Sequence, residues 1–362
     1  MPDVEVYARD STVDTGRRLP SPSGVSDPFQ QGSQTYWWQS TDIKVDSPSF
    51  QRPSLTDIDF EVFEDDHGVF FAGLLHENAQ RGRSVRVLLQ VHNRGANPAT
   101  NVATKVFFAN ASVGLPNLPA GFWTGFPANT LPATSPWQAI AAHKVIPRID
   151  SGRSQIVGFD WSVPMTAADH TCLLAIISAD NDSIATTETS IGTLVLNQKK
   201  CALKNLTIVN PPPALGARVL AVPLNLWASG ASKTFSLALD RSPTSMVSGI
   251  VFSRRLSGLA KQGAIPQVAL GEEHRAELAR LSEQFPALKA QLDIGVAYRA
   301  PQRGVWLRSF PLDAKKPEPI VVLIEPRPRA GQWSLLQLGE DQSIVGGFTF
   351  QAISAGARGG IG

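Results

Sequence analysis

Apolar and polar residues alternate along much of this chain, and that pattern predicts many short β-strands. The alternation is clearest over residues 84–93. Four aliphatic residues fall on one side of that extended segment: Val85, Val87, Leu89 and Val91. A turn of Asn, Arg and Gly follows, and residues 101–110 resume as a strand. Comparable strands recur at spacings of about 8–12 residues with turn residues between them, which is typical of antiparallel β-sandwiches.

The strand pattern restarts after a proline-rich segment, residues 210–216. Three consecutive prolines favour a stiff, extended linker there. The second half contains one helical interruption, residues 271–292, whose apolar residues follow one another at steps of three and four: Leu278, Leu281, Phe285, Leu288 and Leu292. Pro286 is expected to kink this helix or to begin a second short one. The apolar face is expected to pack on its own domain, because such faces are usually buried.

We therefore predict an all-β protein of two tandem antiparallel β-sandwiches, the second with an inserted helical segment. Its 362 residues exceed the usual size of one domain. A half-buried strand over 57–63 begins the first sandwich, since Ile58, Phe60 and Val62 alternate with acidic residues. The predicted parts are an extended N-terminal strand and loop region that packs on the first sandwich (1–56), the first sandwich (57–209), the linker (210–216), the second sandwich (217–353) and a flexible tail (354–362).

The composition argues against several classes of protein. The formal net charge is +2, from 33 basic and 31 acidic residues without a dense basic run, so no nucleic-acid partner is expected. No stretch of about eighteen apolar residues predicts a membrane span. The N-terminal segment is polar and acidic rather than a secretory signal. We therefore expect a cytoplasmic location or export by a leaderless route.

Several segments of the first predicted sandwich together resemble the CARDB family of immunoglobulin-like domains, a cell-adhesion-related type found in bacteria. The segments are SVRVLLQVHNRGANPATNVATKVFFANAS, SQIVGFDWSVP, DHTCLLAIISADND and KKCALKNLTIV, and they span about residues 84–209. The resemblance implies an immunoglobulin-like fold, a non-catalytic role and a surface or extracellular setting. It also implies interaction, adhesion or structural assembly, with another protein or a second copy of the chain as partner.

The stretch 167–177 places Asp169, His170 and Cys172 within four positions, which raises the question of a reactive cysteine or a metal site. Alternation argues against both, because both sides of the predicted strand are apolar and a thiol buried there is inert. His170 stands two residues before the cysteine, where immunoglobulin domains place a tyrosine that fixes the preceding turn. We predict that Asp169 and His170 form a structural corner. Whether Cys172 and Cys201 are bonded or free stays open.

Aromatic residues indicate where such a protein would bind. The loop over 112–136 carries Phe122, Trp123 and Phe126, which either contact a protein or a glycan or fold back as the core of the loop. Trp37 and Trp38 are consecutive, so an extended chain points them to opposite sides. Packing of one ring on the core is the default, and binding through the other is the alternative. Two alternative functions stay open. The chain either binds carbohydrate through its aromatic loop residues or forms accessory domains of a hydrolase.

The sequence contains no catalytic constellation, so neither an enzyme nor a cofactor is expected. The acidic segments 64–68 and 180–183 lack the glycine and the closing glutamate of a calcium loop, which leaves only a weak Ca²⁺ site open. The six histidines are scattered without the spacing of zinc ligands, so no metal-binding residue is predicted.

Overall fold

The computed structural model describes residues 2–28, 33–48, 50, 74, 76–110, 114–168, 170–209, 219–228, 232–241, 247–301, 304–313, 316–325 and 331–352. Several predicted features lie outside these residues: the strand over 57–63, the acidic segment 64–68, Asp169, the linker 210–216 and the tail 354–362.

The chain divides into two compact units. The first comprises Met1–Asn110 with Asn117–Pro212, and the second comprises Ala111–Pro116 with Pro213–Gly362. Each unit is built mainly from antiparallel β-sheets, so the predicted all-β class is confirmed. None of the helices among the described residues is long and apolar enough to cross a bilayer.

The first unit contains strands β1 to β12 and helix α1. Their bounds are β1 Val6–Tyr7, β2 Val25–Ser26, β3 Gln34–Thr35, β4 Ile43–Asp46, β5 Ala79–Gln80, β6 Ser84–Asn93, β7 Ala99–Ala109, β8 Trp137–Ala139, β9 Lys144–Ile149, β10 Ser154–Ser162, β11 His170–Ser178, α1 Ile191–Asn197 and β12 Cys201–Val209.

Two sheets form the sandwich of the first unit. In one, β6 pairs with β10 on one edge and with β4 and β1 on the other. In the second, the order is β5, β12, β11, β7, and both β8 and β9 pair with β7. The predicted alternation of β6 is confirmed, because its four aliphatic residues lie in the core with the inward residues of β11: Val85, Val87, Leu89, Val91, Leu173, Ala175 and Ile177.

The second unit contains strands β13 to β21 and helices α2 to α4. Their bounds are β13 Leu220–Leu226, β14 Thr234–Arg241, β15 Val247–Phe252, α2 Arg254–Gln262, β16 Gln267–Val268, α3 Glu272–Gln284, α4 Pro286–Gln291, β17 Ala297–Tyr298, β18 Gly304–Pro311, β19 Glu318–Ile324, β20 Gly331–Leu338 and β21 Ile344–Ala352.

A five-stranded sheet in the order β13, β19, β15, β17, β16 faces a four-stranded sheet in the order β18, β14, β20, β21. Large aromatic residues fill the core between them, among them Phe252, Tyr298 and Trp333. Bulky rings suit this role because each removes a large apolar area from water.

The helical insert packs on the outer face of the five-stranded sheet, as predicted. Leu278 and Leu281 of α3 are buried in one cluster with Val251 and Val321 of the sheet. Pro286 begins α4, so the second of the two outcomes predicted for this proline holds. Helices α1 and α2 were not predicted. The N-cap of α2 is Ser253, whose hydroxyl accepts a hydrogen bond from the amide of Leu256 at 3.2 Å.

Candidate functional site

Strand β11 places the cysteine and histidine of the first motif inside the protein. Cys172 is fully buried and His170 is 1% exposed, so the predicted core strand is confirmed. Burial raises the pKa of both cysteine thiols and lowers the pKa of His170 to about 3. A protonated thiol and a neutral, enclosed imidazole are poorly suited to nucleophilic catalysis.

Neither cysteine takes part in a disulfide. In the ladder between β11 and β12, Cys172 lies opposite Asn205, whereas Cys201 lies opposite Ile176. The thiols therefore do not face each other across the sheet. The thiol of Cys172 instead donates to the side-chain oxygen of Asn205 at 2.9 Å.

His170 makes a hydrogen bond to the backbone of Leu206 on the neighbouring strand β12. Two other side chains hold the turn before β11. The Nε of Arg81 donates to the carbonyl of Ala167 at 2.8 Å, and the side-chain oxygen of Asn110 accepts from the amide of Ala168 at 3.1 Å. The corner role of His170 stays a prediction, and Arg81 and Asn110 are turn-fixing residues that local sequence reasoning missed.

The expected geometry of Trp37 and Trp38 is wrong. These residues lie in a turn, closed by the amide of Gln39 donating to the carbonyl of Tyr36 at 3.0 Å, so they do not alternate. Both tryptophans are 1% exposed. Trp38 stacks on Tyr36 with ring centroids 4.6 Å apart. Neither tryptophan is therefore available as a binding ring on the surface.

The aromatic loop, residues 119–129, brings Phe122, Trp123 and Phe126 together. Phe122 is 2% exposed and meets Phe107 of β7 edge-on, with centroids 5.3 Å apart. Trp123 and Phe126 are half-buried, with ring centroids 5.9 Å apart. Phe122 therefore forms the core of the loop, as one of the two predicted outcomes has it, whereas Trp123 and Phe126 are partly exposed and their binding role stays a prediction.

Polar contacts fix the backbone of the aromatic loop. The ammonium of Lys105 donates to the carbonyl of Pro127 at 2.8 Å and to the side-chain oxygen of Asn129 at 3.0 Å, and also contacts the carbonyl of Asn129. The side-chain amide of Asn129 donates to the carbonyl of Phe122 at 2.6 Å. The indole of Trp123 donates to the carbonyl of Glu188 at 2.8 Å. These contacts hold Trp123 in one orientation.

Two glycines shape the tip of the loop. Gly121 and Gly125 have φ angles of 75° and 77°, a region that favours glycine. Thr124, between them, is exposed and its amide closes a turn on the carbonyl of Gly121 at 2.9 Å. The two turns carry Trp123 and Phe126 on a short, well-defined tip.

A buried charge network lies on the other sheet and was missed by the sequence analysis. Asp42 is fully buried and accepts two hydrogen bonds from the guanidinium of Arg9, at 2.8 Å and 2.5 Å, and a third contact from Nε2 of His92 at 2.8 Å. Burial would raise the pKa of the Asp42 carboxyl, but Arg9 and His92 together lower it well below its usual value. The network ties the N-terminal strand region to β6.

Two further lysines contact the segment around β4: Lys44 is buried and Lys204 is partly buried. The ammonium of Lys204 donates to the carbonyl of Ser40 at 2.6 Å, and that of Lys44 donates to the carbonyl of Leu74. Burial lowers the pKa of Lys204 to about 8 and, with the charge of Lys204, that of Lys44 to about 7. Lysines with such pKa values can serve as nucleophiles when they are accessible. Lys44 is enclosed, and both ammonium groups donate to backbone carbonyls, which indicates an anchoring role.

The acidic segment 180–183 uses its oxygens within the protein. Asp182 accepts from the amide of Val6 at 2.8 Å and pairs with Lys200 at 2.7 Å. Asp180 accepts from the side-chain amide of Asn101 at 2.8 Å. The described part of the chain holds no group of three or more His, Cys, Asp or Glu residues placed to bind a metal ion.

Among solved structures, the chain is similar to two structures of a CARDB domain. A crystal structure of a CARDB domain from Pyrococcus furiosus, in complex with di-metal ions, matches at 10% identity, over 36% of this chain and 78% of that chain, with a TM-score of 0.22. A solution structure of the same domain matches at 9% identity, over 46% of this chain and 94% of that chain, also with a TM-score of 0.22.

A third structure, red sea bream transglutaminase, matches at 9% identity over 77% of this chain and 30% of that chain, with a TM-score of 0.22. No family model and no curated protein matches the chain. TM-scores at this level transfer neither residues nor function, so the chemistry must be argued from the residues of this chain.

Proposed function

We propose that this chain is a non-catalytic interaction protein that presents the aromatic loop to a protein partner. The observation that carries the proposal is the pair Trp123 and Phe126, half-buried on a tip whose backbone is fixed by Lys105 and Asn129. Adhesion or structural assembly at a bacterial surface is the proposed setting, and a second copy of the chain is one such partner.

The physical reasoning concerns the cost of ordering. A loop that is already fixed in the free protein loses little conformational entropy when it binds. Tryptophan and other aromatic side chains supply large contact areas and dominate the energetics of many interfaces. An ordered loop with two partly exposed rings therefore has the properties of a preorganised binding surface.

The state of the reactive residues supports the non-catalytic part of the proposal. Cys172, Cys201 and His170 are enclosed in the first sandwich, and burial keeps the thiols protonated and the imidazole neutral. Buried thiols that stay protonated are unreactive towards substrates.

The test compares two arginine substitutions at exposed hydroxyl residues. Thr124→Arg adds bulk and charge between the two rings of the loop, while Ser183→Arg makes a similar change in the loop that follows β11. Surface substitutions of this kind are expected to change stability by at most about 0.5 kcal/mol. Tagged proteins are recovered from producing cells, and co-purified proteins are quantified by mass spectrometry.

We expect a partner that co-purifies with the wild type and with Ser183→Arg and is depleted at least tenfold with Thr124→Arg. Equal recovery with all three proteins would count against the aromatic loop as the binding surface. Because both variants keep the buried thiols, protection of these thiols from modification shows that each is folded.

Carbohydrate binding is the second candidate, favoured by the partly exposed indole of Trp123. Aromatic rings at this exposure can pack against the apolar face of a sugar. A glycan array with the wild type and Trp123→Ala separates the two functions: a hit that the variant loses supports sugar binding, and a clean array with folded protein rejects it. Service as accessory domains of a hydrolase would instead require that a catalytic partner co-purify through the same loop.

A further inference from the structure

A cleft of about 440 Å³ lies in the second unit, beside the short edge strand β16. The extended segment 267–270 forms one side of the cleft, and the turn 294–296 forms the other. Half-buried apolar side chains line both sides: Val268, Leu270, Ile294 and Val296. Among the described residues, Arg275 of α3 is the charged member of this lining. The volume of the cleft falls within the usual range of small-molecule sites.

The apolar walls of the cleft are anchored to the packed interior of the second unit. Val268, Leu270 and Ile294 pack against the buried cluster between α3 and the five-stranded sheet. The Nη1 of Arg275 donates to the carbonyl of Leu270 at 2.7 Å, which holds the guanidinium next to these walls. The cleft is therefore formed before any ligand arrives, and little conformational entropy is lost on binding.

The charge of Arg275 is not neutralised by the described part of the chain. Its side chain is exposed, and it makes no ion pair with any described residue, including Glu272 three positions earlier. Arg280, further along α3, instead donates to both carboxylate oxygens of Glu277, at 2.8 Å and 2.6 Å. The carboxylate of Asp293, next to the cleft in sequence, is used by side chains of α2. Arg275 is therefore left to pair with an anion from outside the chain.

The guanidinium of Arg275 retains the donors that a carboxylate needs. Its hydrogen bond to the carbonyl of Leu270 is made from Nη1. The edge formed by Nε and Nη2 can still donate a parallel pair of hydrogen bonds to the oxygens of a carboxylate. A single guanidinium balances the charge of a monocarboxylate, whereas a phosphate group carries more negative charge than it can neutralise.

We propose that this cleft binds a small monocarboxylate with an apolar body, such as a short fatty acid. The carboxylate pairs with Arg275, and the hydrocarbon chain packs between Leu270 and Ile294. The cleft belongs to the second unit and the aromatic loop to the first. This binding activity is therefore separate from the proposed interaction through the aromatic loop.

Gly295, in the turn that lines the cleft, provides a way to close it. A Cβ added there would meet no atom of the described residues within 4 Å, and the φ angle of Gly295 lies outside the region that favours glycine. A larger side chain at this position therefore takes up space at the cleft without straining the backbone.

Ligand-observed NMR of the full chain tests the proposal, with hexanoate as the probe at constant ionic strength. Hexanoate should saturate one site with a Kd of about 1 mM, an ordinary affinity for so small a ligand. Butanoate should bind at least tenfold more weakly, since each buried methylene contributes about fourfold in affinity. Hexylammonium has the same chain but a positive charge that Arg275 repels, so it should not saturate a site up to about 20 mM.

Two pairs of substitutions locate the site. Arg275→Gln should weaken hexanoate binding at least tenfold, whereas Arg254→Gln, at another exposed arginine of the second unit, should leave it unchanged. Gly295→Leu should abolish hexanoate binding, whereas Gly258→Leu, at a glycine of α2 that also has open space beside it, should not. Arg275→Gln alters only an exposed side chain, so it keeps the test decisive even if Gly295→Leu does not fold.

The proposal is overturned if hexanoate does not saturate a site up to about 20 mM, well above the expected Kd, or if hexylammonium binds as tightly as hexanoate. It is also overturned if the affinity for hexanoate is unchanged in Arg275→Gln or in folded Gly295→Leu. Equal weakening by Arg275→Gln and Arg254→Gln would contradict it too, because that result reflects the net charge of the protein rather than a site.

Discussion

The buried histidine of β11 makes the stability of the first unit depend on pH. His170 has a pKa of about 3 in the folded protein, against 6.5 for an ordinary histidine, because burial opposes its protonation. The unfolded chain therefore takes up a proton below about pH 6.5 that the folded chain does not. The contribution of His170 to the free energy of unfolding is fully present above about pH 6.5, and it is lost progressively as the pH falls towards about 3.

The magnitude follows from the difference between the two pKa values. A pH of about 5 lies roughly 1.5 units below the pKa of histidine in the unfolded chain. Protonation there stabilises the unfolded state by about 2 kcal/mol relative to the folded state. At about pH 7 this loss of stability is close to zero, because His170 is neutral in both states. Other buried groups also titrate, among them His76, whose pKa burial lowers well below 6.5. The effect of His170 must therefore be measured as a difference between proteins.

The assay compares the wild type with His170→Gln in urea at about pH 7 and about pH 5. Both cysteines of the chain lie buried in the first unit, so their reaction with 4,4′-dithiodipyridine reports the unfolding of that unit alone. His170→Gln is expected to lower stability at both pH values. Between the two, the wild type should lose about 2 kcal/mol more than the variant. Equal losses, within about 0.5 kcal/mol, would refute a neutral, enclosed His170.

Two further predictions concern the other buried cations and anions. Asp42→Asn removes the charge that neutralises the guanidinium of Arg9, which is 2.5 Å away, and should destabilise the first unit by about 3–5 kcal/mol in the same thiol assay; a loss below about 1 kcal/mol would contradict the network. Lys105→Met removes the ammonium from the carbonyls of Pro127 and Asn129 and should speed amide hydrogen exchange across residues 119–129 at least tenfold. Unchanged exchange there would show that Lys105 does not order the loop.

The sequence was most informative where a regular element buries one continuous set of side chains. The alternation of β6 and the stripe of α3 predicted which residues enter the cores, because burial repeats every second residue in a strand and every three or four in a helix. Cys172 and His170 were placed inside by the same reasoning. Phe122 was also correctly considered as a loop core, although the sequence could not separate it from its exposed neighbours.

The failures have a common physical cause, which is contact between distant parts of the chain. Asp42 lies 33 residues from Arg9 and 50 from His92 in sequence. No local pattern therefore indicates that these two residues pair with the Asp42 carboxylate inside the protein. Trp37 and Trp38 were expected to alternate, but the turn at Tyr36–Gln39 removes the extended geometry on which alternation depends. Helix α1 was missed because its short apolar sequence has no distinct helical period.

The candidate site was predicted in part. The aromatic residues of the loop were identified from their types and from the surrounding Gly and Pro residues. Their fixed positions depend on Lys105 and Glu188, whose relation to the loop arises only from the fold.

Site-specific photo-crosslinking tests the binding role of the aromatic loop most directly. A photoreactive phenylalanine analogue is placed at Thr124, on the tip of the loop, or at Ser183, in the loop that follows β11; both side chains are exposed. Irradiation of producing cells should yield a discrete adduct with one protein, or with a second copy of the chain, from position 124 and not from position 183. The absence of an adduct at 124, or the same adducts at both positions, would contradict a binding role for this loop.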